Sequence, residues 1–142
     1  MTQDILAPVM ALVLWTLVMW VWLYATRIPA MRKARTRLEP RLPRDQLLGG
    51  LPPEVRWKAD NYNHLMEQPT LFYATALTLA VIGDADPINV WLAWAYVGLR
   101  ILHSLIQATA NVVRWRFLLF SLASLCLLGL TVHAAAALLC TL

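Results

Sequence analysis

Four stretches of apolar residues alternate with polar segments along the chain. The first, residues 5–26, contains 22 residues and no charge. As a helix it would be about 33 Å long, which is enough to cross the hydrocarbon core of a bilayer. Three further apolar stretches cover residues 61–82, 88–110 and 117–139. The pattern predicts an all-α integral membrane protein, a bundle of four transmembrane helices in one domain of residues 1–142.

The polar segments between these stretches differ in character. Residues 27–58 form a long basic loop that is interrupted by proline and glycine, and residues 83–87 form a short acidic turn. The start of the basic loop, Ala30–Leu38, could continue the first helix into the lipid headgroups. Within the second stretch, Pro69 is expected to loosen the helix, because proline has no N–H to donate.

The composition of the chain excludes the other common protein classes. Hydrophobic residues make up 60% and charged residues 14% of the sequence, whereas soluble domains contain about 45–50% and about 25%. Disordered chains are poor in the aliphatic and aromatic residues that are abundant here. Two cysteines in 142 residues do not make a disulfide framework. The composition therefore indicates a small integral membrane protein.

The net charge of +4 is unevenly distributed. Nine of the twelve Lys and Arg residues lie between Arg27 and Lys58. A basic segment beside an apolar span is a topology signal rather than a nucleic-acid site, because positive loops stay on the cytoplasmic side. We therefore expect the basic loop to be cytoplasmic and both termini to lie on the outer side.

Polar side chains also occur inside the predicted spans, where a charge costs roughly 2.5–3.5 kcal/mol on insertion scales. On the third span they follow one another at steps of three or four residues and share one helix face: Tyr96, Arg100, His103, Gln107, Asn111 and Arg114. The second span carries a similar group near its cytoplasmic end: Asp60, Asn63, His64 and Glu67. The two groups predict one polar site at the cytoplasmic end of the bundle.

Two interpretations of this site are open. Glu67 and Arg100 could form a buried ion pair that fixes helix packing and does no chemistry. Alternatively, arginines from several helices, namely Arg27, Arg100, Arg114 and Arg116, could line a cavity that binds an anionic ligand. One Glu cannot neutralise several arginines, which favours the ligand. The sequence contains no metal-ligand spacing and no Gly-rich phosphate loop.

Two sequence regions resemble a known family. The first runs from Lys58 through His64, Glu67 and Pro69 to Tyr73, and the second is Ala93–Ser104, with Arg100 and His103. Together with the later Arg-Trp-Arg-Phe segment, the number of spans and the loop lengths, they resemble the MAPEG family, the membrane-associated proteins of eicosanoid and glutathione metabolism. More closely, the chain is similar to a bacterial branch of this family whose members mostly lack an assigned function, which implies a bacterial inner membrane.

The resemblance implies a homotrimer that binds glutathione between neighbouring subunits near the cytoplasmic face. Arg116 lies where the family has the Arg that stabilises the glutathione thiolate, which makes it the catalytic candidate. The other candidates would bind the ligand: Arg27, Asn63, His64, Glu67, Arg100, His103, Gln107 and Arg114. The implied activity is a glutathione-dependent transferase or peroxidase that acts on lipophilic electrophiles.

The chain also departs from the family pattern. His64 replaces the usual Asn, Gln107 replaces a Tyr, and Phe117 and Phe120 occupy positions that carry hydroxyls in the synthases. These changes remove donors to the ligand and favour an alternative function, a non-catalytic membrane bundle that binds a lipid or a protein partner.

Overall fold

The computed structural model describes residues 4–35, 41, 43, 46 and 49–141, and the regular structure in this part of the chain is helical. The helices whose bounds lie in the described residues are, in order, α1 (Leu6–Lys33), α2 (Pro53–Leu65), α3 (Pro69–Ile82), α4 (Pro87–Thr109) and α5 (Val113–Thr141).

Helix α1 extends beyond the first apolar stretch. It contains 28 residues and ends with Arg32 and Lys33 in its last turn, where cations interact favourably with the C-terminal end of the helix dipole. The helix therefore covers the first part of the predicted extension, Ala30–Leu38, whereas residues 36–38 lie outside the described residues.

The second apolar stretch is divided between two helices. Helix α2 ends at Leu65, and the N–H of Met66 bonds to the carbonyl of Asn63. Helix α3 begins at Pro69, where the missing N–H costs nothing because the first turn has no intrahelical acceptor. The break in the helix at residues 66–68 agrees with the loosening of the second span that Pro69 predicts. It brings the end of α2 and the start of α3 to the same level as the polar half of α4.

Tight turns join the remaining helices. Gly83 ends α3 with a φ of 78°, and Asn111 lies between α4 and α5 with a φ of 51°. Glycine and asparagine are the residues that adopt this left-handed conformation most readily. Because α4 ends at Thr109, residues beyond it do not continue its helix face.

The long helices pack as a bundle. Helix α4 packs most extensively on α5, and α1 and α5 each contact both α3 and α4. Across the middle of the bundle, the ring of Phe72 on α3 stacks on Tyr96 of α4, with centroids 4.5 Å apart. Helix α2 packs on α1 and α4. The interior is therefore closed around the polar face of α4.

Three helical segments are long and apolar enough to cross a membrane: Leu6–Lys33, Pro53–Ile82 and Val113–Cys140. Helix α4 is not among them in the described part of the chain, because its Arg100, His103 and Gln107 lower its mean hydropathy. These same polar side chains are buried inside the bundle, so they do not face lipid.

Lys58 holds α2 against its neighbours. Its ammonium group donates to the carbonyls of Glu54 at 2.9 Å and Ala108 at 3.4 Å. The ammonium nitrogen also lies 5.1 Å from the ring centroid of Trp22 on α1, within the range of a cation–π interaction. Because Ala108 is in the last turn of α4, Lys58 provides a cation for the carbonyl end of that helix.

Replacing Lys58 with methionine is expected to lower the free energy of unfolding by about 2 kcal/mol, because hydrogen bonds from a charged group to buried carbonyls are lost while the apolar stem is retained. Reversible unfolding in mixed detergent micelles measures this effect. The matched control is Lys33→Met, since Lys33 is exposed at the end of α1. Equal losses in the two variants would show that the buried contacts of Lys58 do not stabilise the bundle.

Candidate functional site

Arg100 lies in the centre of the bundle. Its side chain is fully buried, and its Nη2 donates to the backbone carbonyl of His64 at 3.0 Å. Its Nη1 lies 3.4 Å from His64 Nε2. The helix break after Leu65 makes this contact available, because the carbonyls at the end of α2 have no partner within the helix. Arg100 thus ties α4 to the break between α2 and α3.

Glu67 does not pair with Arg100. Its Oε2 lies 3.0 Å from His64 Nδ1, and its side chain is 68% exposed. Among the described residues, neither Arg100 nor Arg116 has a carboxylate at ion-pair distance. The interpretation of the site as one buried Glu67–Arg100 pair is therefore wrong, since the carboxylate is on the surface and the guanidinium is in the interior.

Replacing Glu67 with glutamine is expected to change the free energy of unfolding by less than about 0.5 kcal/mol, because exposed ion pairs contribute little. Asp60→Asn, at an exposed position on α2, is the matched control. Denaturant titration of both variants measures the effect. A loss several times larger than that of the control would show that the carboxylate neutralises a buried charge after all.

His103 joins α4 to the start of α5. Its Nδ1 lies 2.9 Å from the carbonyl of Arg116, and its Nε2 lies 3.1 Å from Gln107 Oε1. A carbonyl only accepts, so Nδ1 carries a proton. The guanidinium of Arg116 in turn donates to Asn111 Oδ1 at 2.6 Å. The left-handed turn at Asn111 thus positions Arg116.

Phe120 covers this polar group from α5. Its ring centroid lies 5.3 Å from that of His64 and 6.2 Å from that of His103. The guanidinium carbon of Arg100 is 5.7 Å from the same centroid, within cation–π distance. We call the set of these side chains the buried polar cluster: His64, Arg100, His103, Gln107, Arg116 and Phe120.

The other predicted site residues lie at the edge of this cluster or away from it. Asn63 is exposed on the opposite side of α2 from its buried neighbour Asn61. Arg114 is exposed at the start of α5, because the face of α4 that predicted its position ends with the helix at Thr109. Arg27 is half-buried on α1. The structure therefore brings five of the nine predicted residues into the cluster, with Glu67 attached through His64.

Two polar contacts beside the cluster were not predicted. Asn61 Nδ2 donates to Ser104 Oγ at 2.6 Å, and both residues are buried. Gln68 Nε2 donates to Ser124 Oγ at 2.8 Å. Ser104 lies four residues after Arg100, so the helical period that identified Arg100 also places Ser104 on the buried side of α4.

The cluster has more donors than acceptors. The Nε atoms of Arg100 and Arg116 are both buried and have no hydrogen-bond partner. A buried donor without a partner is costly, and more so when the group is charged. No grouping of three or more His, Cys, Asp or Glu side chains that could hold a metal ion occurs in the described residues. The unpaired guanidinium donors are suited to an anion.

Comparison with known families identifies the chain. The model of the MAPEG family matches residues 5–136, which include every helix that contributes to the cluster. The chain belongs to the MAPEG family. No curated protein and no solved structure matches it.

Membership in the MAPEG family, together with the three long apolar helices, shows an integral membrane protein. In this MAPEG protein the cluster is built from the last turn of α2, the C-terminal half of α4 and the first turns of α5. Arg116 and Phe120 both come from that last part.

Proposed function

We propose that this MAPEG protein binds glutathione at the buried polar cluster and uses it to transform lipophilic electrophiles that enter from the bilayer, as a transferase or a peroxidase. The observation that carries the proposal is Arg100, which is fully buried and has no carboxylate partner among the described residues. A guanidinium in this position requires an anion, because an uncompensated buried charge costs several kcal/mol.

The residues of the cluster suit the carboxylates and the thiol of glutathione. Arg100 would hold a carboxylate, since its fork of donors matches that group and its Nε is free. Arg116 would favour the thiolate form of the bound thiol, because a cation next to a thiol raises its thiolate fraction. His64, His103 and Gln107 would orient these two arginines. Glutathione supplies the nucleophilic sulfur when it is bound.

The exposed predicted residues would complete the site in an assembly. Asn63, Glu67 and Arg114 are exposed, and in a homotrimer they would face a neighbouring subunit. Arg27 would add a further cation from α1. A ligand between subunits would then contact both the arginines of the cluster and these exposed side chains.

The proposed topology has four spans, in which α4 crosses the membrane in addition to the three apolar segments. Its residues that are exposed in the bundle are mostly apolar and suited to lipid, including Ile88, Trp91, Leu102 and Leu105. Its average hydropathy therefore understates how well it fits a bilayer. With four spans in a bacterial inner membrane, the basic segment after α1 is cytoplasmic and both termini lie on the periplasmic side.

A second candidate function is a non-catalytic bundle that binds a lipid or a protein partner. Phe120 favours it, because its ring lies against Arg100 and both histidines of the cluster and offers no hydroxyl to a thiolate. In that case the cluster would only hold the helices together.

Isothermal titration of the purified protein in detergent with glutathione tests the proposal. We expect binding at millimolar concentrations and consumption of glutathione with 1-chloro-2,4-dinitrobenzene. Ophthalmic acid, in which a methyl group replaces the thiol, is the matched ligand, and it should bind without supporting the reaction. A protein that neither binds glutathione nor consumes it would defeat the proposal and leave the non-catalytic bundle.

A further inference from the structure

Asn111 forms the turn between α4 and α5 that leads to Arg116. Its φ of 51° lies in the left-handed region, and its N–H donates to the carbonyl of Ile106 at 2.6 Å, which closes the end of α4. Glycine is the residue that most often ends a helix in this way, because it has no Cβ. The backbone of this turn therefore does not by itself require an amide side chain.

The amide of Asn111 contacts the guanidinium of Arg116. Its Oδ1 accepts a hydrogen bond from Arg116 Nη1 at 2.6 Å, and the oxygen must be the acceptor because a guanidinium only donates. The Nε of the same guanidinium is buried and has no partner. Among the described residues, this amide is the one hydrogen-bond acceptor of the Arg116 side chain.

The backbone of Arg116 is held independently of its side chain. Its N–H donates to the carbonyl of Val112 at 3.1 Å, and its carbonyl accepts from His103 Nδ1 at 2.9 Å. Neither contact involves the Asn111 amide. An arginine side chain has many rotamers to lose when it is ordered. The amide therefore determines the direction of the guanidinium and not the position of α5.

The acceptor at this position is neutral. An amide oxygen orients a cation without offsetting its charge, whereas a carboxylate in the same place would pair with the guanidinium and weaken its effect on a nearby thiol. The titratable and charged side chains in this part of the bundle are His64, Glu67, Arg100, His103 and Arg114. Glu67 reaches His64, so the charge of Arg116 is not neutralised by a carboxylate among the described residues.

From these contacts we infer that Asn111 is a positioning residue, which aims the guanidinium of Arg116 at the sulfur of bound glutathione while leaving its charge intact. The inference rests on the proposed function, in which Arg116 favours the thiolate. Two substitutions separate direction from charge. Asn111→Gly keeps the left-handed turn and removes the acceptor, whereas Asn111→Asp keeps an acceptor in a residue that tolerates this turn and adds a negative charge.

The pH dependence of thiolate formation tests the inference. The ultraviolet absorbance of glutathione bound to the detergent-purified protein is measured against pH, with the absorbance of the ophthalmic acid complex subtracted. We expect the midpoint to rise by about one pH unit in Asn111→Asp and by less in Asn111→Gly. At neutral pH the turnover of Asn111→Asp should be about tenfold slower, with KM for glutathione changed less than about twofold.

Raising the pH should restore the turnover of both variants, because the thiolate then forms without help from Arg116. A defect in the packing of the turn would not be corrected in this way. Val112→Ala is the matched control, since it shortens an exposed side chain in the same turn, and its midpoint should equal that of the unmodified protein. Unfolding temperatures without ligand show whether each variant folds.

Arg116→Gln separates the inference from the proposed function. If Asn111 acts through Arg116, Asn111→Gly should not raise the midpoint further in the Arg116→Gln background, and an additional rise there would overturn the inference. A raised midpoint in Arg116→Gln with unchanged midpoints in both Asn111 variants would also overturn it and leave the proposed function standing. An unchanged midpoint in Arg116→Gln, or no binding of glutathione by the unmodified protein, would defeat the proposed function and the inference together.

Discussion

Replacing Arg100 with leucine is expected to weaken glutathione binding by at least about thirtyfold. The reason is that Arg100 is fully buried, has no carboxylate partner among the described residues and leaves its Nε unpaired. Removing the protein's partner from a buried charge pair with a ligand typically costs about 2 kcal/mol or more of binding free energy. This corresponds to about thirtyfold in affinity. Isothermal titration with glutathione measures the loss.

Two further variants separate this effect from a loss of folding. Arg56→Leu removes an exposed arginine from α2 and should leave binding unchanged. Arg100→Lys keeps the charge without the fork of donors, so it should bind with intermediate affinity. The unfolding temperature without ligand shows whether each variant folds. Undiminished glutathione binding by a folded Arg100→Leu protein would refute the proposed role of Arg100.

Phe72→Ala is expected to give the largest loss of stability, about 3 kcal/mol in the free energy of unfolding. Phe72 is fully buried and stacks on Tyr96 with an angle of 20° between the rings. Inside a membrane bundle the loss comes from packing, because lipid tails are as apolar as the interior. Deleting the buried ring therefore leaves an empty cavity between α3 and α4, because lipid does not reach the interior of the bundle.

Phe117→Ala is the matched control for this prediction, because it deletes the same ring at a position that is 71% exposed. The Phe117→Ala change should lower the free energy of unfolding by less than about 0.5 kcal/mol. Reversible unfolding by a denaturing detergent in bicelles measures both variants. Equal costs at the two positions would show that the stack between Phe72 and Tyr96 does not hold the bundle together.

The helical period of α4 is the part of the site that the sequence predicts well. Tyr96, Arg100, His103 and Gln107 recur at steps of four, three and four residues, and all four are buried in the structure. The prediction succeeds because one helix geometry converts spacing into direction. It fails for Arg114, which is exposed on another helix, because the period has no meaning beyond the turn at Asn111.

The partners of each polar side chain were less predictable. Residues near Asp60–Glu67 show a helical spacing, but the side chain that faces inward is Asn61 and not Asn63. The direction of α2 depends on how it packs on α1 and α4. For the same reason Glu67 reaches His64 on its own segment instead of Arg100 across the bundle.

The membrane class, the apolar segments, the break before Pro69 and the polar face of α4 could all be predicted from the sequence. Each of these follows from composition or from the local geometry of a helix, which needs no knowledge of the neighbours. Three contacts could be found only in the folded bundle: Arg100 bonds to His64, Lys58 bonds to the carbonyl at the end of α4, and Phe120 covers the arginine. These contacts join residues on different helices, so they depend on how the helices are rotated and packed against each other, which spacing along one helix does not encode.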